Sequence, residues 1–70
     1  MERKTDVIEL KKLMVERGLE RISDLARVSG VSRNVISKIV NGKAQPSADV
    51  MYKLAEALHM EPAQAGRVFF

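Results

Sequence analysis

The chain contains no cysteine and no tryptophan, a single histidine, and an aromatic complement limited to Tyr52, Phe69 and Phe70. Without thiols there are no disulfides and no thiolate metal sites, so a cysteine–histidine zinc finger is excluded, and His59 alone cannot hold a structural metal. That histidine has no recognisable nucleophile partner, no glycine-rich phosphate loop is present, and so short a chain has little room for a substrate pocket. An enzyme is therefore not expected, nor is any cofactor or small-molecule ligand. No apolar run approaches the length that spans a bilayer, and the stretch from Met1 to Thr5 has no signal-peptide pattern, so no membrane association is expected and the cytoplasm is the expected location.

With 70 residues the sequence has room for one domain, residues 1–70, with a modest core. Its formal charge of +3 is mild, but the distribution is uneven. Between Leu25 and Ala48 stand Arg27, Arg33, Lys38 and Lys43 and no acid at all, while Asp24 closes the acidic stretch before it and Asp49 opens the one after it. A basic, acid-free segment is what contact with a phosphate backbone requires, although charge of this kind also suits a solvated helix face.

Helical spacing recurs along the whole chain and strand alternation nowhere. The pattern predicts an all-α, compact five-helix bundle with helices near residues 6–17, 22–29, 32–41, 47–59 and 62–70. Val7, Leu10, Leu13 and Met14 stripe the first helix, which Thr5 or Asp6 can cap and Gly18 can end. Ile22, Leu25, Ala26 and Val28 supply an inner side for the second, and Val35, Ile36 and Ile39 for the third. The fourth has Ser47 as N-cap and Val50, Met51, Leu54, Ala55 and Leu58 as its stripe, and His59 is placed at its C-terminal end. Pro62 suits the first position of the last helix.

The second and third helices are joined by very little chain. Gly30 takes positive φ without a Cβ clash, which ends one helix sharply, and Ser32 is a ready N-cap for the next. Small Ala26 allows a close crossing. Together these features make a helix-turn-helix. With Ala26, Gly30, Val31, Ile36 and Ile39 at its small, turn and core positions, after a helix ending in Gly18-Leu19 and with the run GVSRNVISKIVNGKAQPS followed by a helix ending KLAEAL, the sequence resembles the lambda-repressor/Cro-like (Xre-type) domains over most of its length. It departs from them at Ile22, where many such domains carry glutamine, and in a link before that helix one residue longer than usual.

The resemblance implies a prokaryotic or phage transcriptional regulator, most simply a repressor, whose third helix enters the major groove of a palindromic operator as a homodimer on double-stranded DNA. On this sequence the outward positions of that helix make Arg33, Asn34, Ser37 and Lys38 the expected base contacts, since Arg pairs bidentately with guanine and Asn with adenine. Ser32, Asn41, Gly42 and Lys43 are the expected backbone contacts. Val68, Phe69 and Phe70 either fold back to close the core or form a dimer interface, and the dimer is the expectation. An antitoxin- or antirepressor-like protein-interaction module is the alternative.

Overall fold

The computed structural model describes residues 5–69, with five helices and no strand among them. They are α1 (Val7–Glu16), α2 (Ile22–Ser29), α3 (Arg33–Val40), α4 (Ala48–Ala57) and α5 (Pro62–Phe69). Side-chain caps set where three of them begin. Asp6 accepts from the Glu9 N–H, Ser32 from the Val35 N–H and Ser47 from the Val50 N–H, each satisfying a donor that the first helical turn leaves unpaired. At α2, Arg21 is the N-cap residue and makes no side-chain bond.

The helix ends are equally local. After α1 and α3 a glycine, Gly18 or Gly42, takes left-handed φ, and its own N–H and that of the next residue fold back onto the last turn. Gly42 donates to the Ile39 carbonyl at 3.1 Å and Lys43 to the Lys38 carbonyl at 2.8 Å, the pairing of a Schellman stop. At the end of α4 the same stop is built on His59, which holds φ at 53°. His59 N–H reaches Glu56 O at 3.2 Å and Met60 N–H reaches Ala55 O at 2.9 Å. The histidine expected at the helix terminus is therefore its left-handed turn residue, past the last helical position Ala57.

One apolar cluster joins all five helices: Leu10, Leu13 and Met14 from α1, Leu25 from α2, Ile36, Ile39 and Val40 from α3, and Leu54 and Ala57 from α4, with Val68 and Phe69 from α5. Val31 of the turn and Leu58 beyond α4 complete it. Among the described residues no polar or charged side chain is buried, so the core carries no cost of unpaired polar groups. α2 packs on both α3 and α4, and α1 touches α3 and α5. Hydrogen bonds between distant parts of the chain include Asp6 N–H to Val68 O at 2.6 Å and Arg17 Nε to Leu58 O at 2.9 Å.

Three expected placements are corrected. Val28 is exposed, because the inner stripe of α2 is Ile22, Leu25, Ala26 and half-buried Ser29, the positions i, i+3, i+4 and i+7 of one face. Val35 is also exposed, its expected place in the core being taken by Val40, which with Ile36 and Ile39 forms the inward triplet of α3. Val68 and Phe69, expected at a dimer interface, are 0% and 2% exposed within the single chain, packed where α5 closes over the core. Phe70 lies outside the described residues.

Candidate nucleic-acid interface

The turn between α2 and α3 owes its shape to Gly30, at φ 78°, whose N–H donates to Ala26 O at 2.9 Å. Ser29 Oγ then accepts the Val31 N–H at 3.1 Å, and Val31 drops into the core. With Val31 seated and Ser32 capping, the rotation of α3 is fixed. Its triplet Ile36, Ile39 and Val40 points inward, so Asn34, Ser37, Lys38 and Asn41 fall on the opposite face at i, i+3, i+4 and i+7. Arg33 borders this stripe on one side and Val35 on the other.

Each expected contact residue can now be placed. Arg33, Asn34 and Lys38 are exposed on α3, and Ser37 is half-buried on the same face. Ser32 is exposed while its Oγ is occupied as the cap of α3 at 3.2 Å from the Val35 nitrogen, which leaves its hydroxyl proton to donate elsewhere. Asn41 turns its Nδ2 back to the Ser37 carbonyl at 2.8 Å, with the Ser37 Oγ at 3.4 Å, so it ties the last turn of α3 together. Gly42 and Lys43 are exposed, yet both of their backbone N–H groups are used by the helix stop. Gly42 therefore has no N–H to offer a phosphate, and the positive group of this corner is the Lys43 ammonium.

The electrostatics agree with the sequence pattern. Arg27 is paired with Asp24 at 3.4 Å on the α2 surface, but among the described residues Arg33, Lys38 and Lys43 have no ion-pair partner. Their charges are directed to solvent around α3. Beside Lys43 and Ala44, Gln45 accepts both the Thr5 N–H at 3.1 Å and the Thr5 hydroxyl at 2.8 Å through its Oε1, anchoring the loop after α3 to the segment before α1. The residue that sequence reasoning missed on this face is Val35. The signal that locates it is the inward triplet at 36, 39 and 40, whose spacing leaves 35 outside.

The described residues contain no cluster of histidine, cysteine, aspartate or glutamate able to hold a metal ion and no helix long and apolar enough to cross a membrane. Comparison with curated proteins and with solved structures returned no match. A family model described as helix-turn-helix matches residues 10–64, from the core of α1 into α5. The match therefore takes in the capped turn, the exposed face of α3 and the helices that support both, and the chain belongs to the lambda-repressor-like (Xre-type) helix-turn-helix family of DNA-binding domains.

Proposed function

We propose that the protein is a sequence-specific regulator of transcription, acting as a repressor by laying α3 in the major groove of a palindromic operator as a homodimer. The observation that carries this reading is the face of α3, where Arg33, Asn34 and Lys38 stand exposed, without acids, on a helix held rigid by its cap and its stop. Arg33 and Asn34 at the helix start read base edges, with Ser37 and Lys38 one turn further on. Ser32, Asn41 and Lys43 set the register on the phosphates.

The homodimer in this proposal is supported by the two equivalent half-sites of a palindrome. Half-sites lie about 34 Å apart on one face of the duplex, and the longest extent of this molecule is 32 Å. A domain of this length can span from one half-site towards the next. Since Val68 and Phe69 serve the core, the contact falls to the exposed connection between α4 and α5, around His59, Glu61 and Pro62.

The test is selection of bound duplexes from a randomised pool, followed by titration of the selected sequence at two salt concentrations. A palindrome that outcompetes random DNA by roughly three powers of ten or more supports the reading. Arg33→Ala and Asn34→Ala each relax selectivity at one position of that sequence by roughly 1–3 kcal/mol, whereas Lys43→Ala weakens all sequences alike and lowers the salt slope by about 1. Salt-sensitive binding without an enriched sequence overturns it.

A second reading, a module that grips another protein, is favoured by Ile8 at 82% and Val15 at 57% exposure, two turns apart on the outer face of α1. It predicts that Ile8→Ser and Val15→Ser abolish activity while operator binding persists.

A further inference from the structure

α3 carries one large apolar side chain that stands outside the buried core. Val35 is 37% exposed, and it belongs neither to the buried cluster nor to the partly buried residues packed against it. Its position is nevertheless closely defined. The Val35 N–H is held by Ser32 Oγ at 3.2 Å in the first turn, and a β-branched side chain in a helix is confined to essentially one rotamer. Val35 follows Asn34 directly and lies one turn from Lys38, so its isopropyl group forms the edge of the polar stripe.

A major groove offers such a group very little to pack on. The base edges present N7 and O6 of guanine, N4 of cytosine, N7 and N6 of adenine, and O4 of thymine, all of them hydrogen-bonding groups. Covering any of these with a valine strips water and returns no bond. The one apolar group on that surface is the C5 methyl of thymine.

We propose that Val35 is a specificity-determining residue that reads a thymine in each half-site by packing its isopropyl group on the C5 methyl, alongside the hydrogen-bond readers Arg33 and Asn34. This rests on the reading that α3 enters the major groove. Recognition of this kind favours thymine over cytosine at that position without a hydrogen bond, because cytosine presents an amino group and no methyl there. Placing one methyl against a hydrocarbon accounts for about a fourfold difference in affinity.

The experiment takes the operator selected from the random pool and replaces each thymine singly by deoxyuridine, which removes the methyl and leaves every hydrogen-bonding group in place. With the wild-type protein, one thymine per half-site is expected to show a loss of about fourfold on replacement. Val35→Ala is expected to bind the thymine and uracil forms of that site equally, to keep the wild-type response to changes at the positions read by Arg33 and Asn34, and to stay folded, the better helix propensity of alanine offsetting part of the lost packing. A uracil profile in Val35→Ala that matches the wild type overturns the assignment while leaving the repressor reading intact. Failure of the wild type to select any sequence overturns both.

Discussion

The Arg17 Nε donates to the carbonyl oxygen of Leu58 at 2.9 Å, joining the C-terminal end of α1 to that of α4. That carbonyl belongs to the last turn of a helix, where no intrahelical donor remains, and the guanidinium supplies a charged one. Arg17→Ala is expected to lower stability by about 1 kcal/mol, within the range for a partly buried hydrogen bond of this type. For a domain of this size the thermal midpoint falls by roughly 4–8 °C. Calorimetry checks it, and an unchanged midpoint would show that water replaces the contact without loss.

His59 holds φ at 53°, a region in which a Cβ crowds the neighbouring carbonyl. Gly18 and Gly42 do the same work at the ends of α1 and α3 with no such crowding. His59→Gly is accordingly expected to raise stability by about 0.5–1 kcal/mol, the strain relieved less the greater flexibility of glycine in the unfolded chain. Gly42→Ala should have the opposite effect, by about 1 kcal/mol, although nothing lies within 4 Å of the added Cβ. Denaturant titration of the two variants reads both signs.

Ser32 has a structural duty and a proposed contact in the same side chain, and the two are separable. Ser32→Ala removes the cap of α3 and should cost about 1 kcal/mol. Aspartate caps as well as serine does, so Ser32→Asp should fold with wild-type stability while setting a carboxylate against the phosphate backbone. A variant that melts normally and has lost most of its DNA affinity is the expected result. Wild-type binding by Ser32→Asp would move Ser32 away from the interface.

Phe69 tests the assignment of the C-terminal helix. A dimer-interface phenylalanine, replaced by alanine, would leave a folded monomer. Buried as it is within one chain, Phe69→Ala is expected to cost roughly 3–5 kcal/mol. That is comparable with the whole stability of a small domain, so the variant should be largely unfolded by circular dichroism. A well-folded monomer would return the residue to the interface.

Much of this architecture was legible because it is governed by local chemistry. Asp6, Ser32 and Ser47 announce helix starts through a short acceptor ahead of an apolar pattern, and Gly18, Gly30 and Gly42 announce ends through backbone freedom. The exposed face of α3 was legible for a related reason, since charged and amide side chains at 33, 34 and 38 cannot be buried unpaired. Val28 and Val35 were misplaced because apolar character outweighed spacing, although 22/25/26/29 and 36/39/40 fit one helical face better. Phe69 was misplaced for another reason. Whether a terminal apolar residue covers its own core or a neighbour's depends on α5 meeting α1, which no local pattern encodes.

The hydrogen bond from Asp6 to Val68 couples nearly the first described residue to nearly the last. Since α5 packs on α1 and α4, this bond closes the flank of the bundle that those two helices share. The helix-turn-helix itself is braced from elsewhere, by α4 against α2 and by α1 against α3. A chain ending before Val68 would lose this tie on α1 and keep the packing of α2 on α3 and α4 that sets the frame of the α3 side chains.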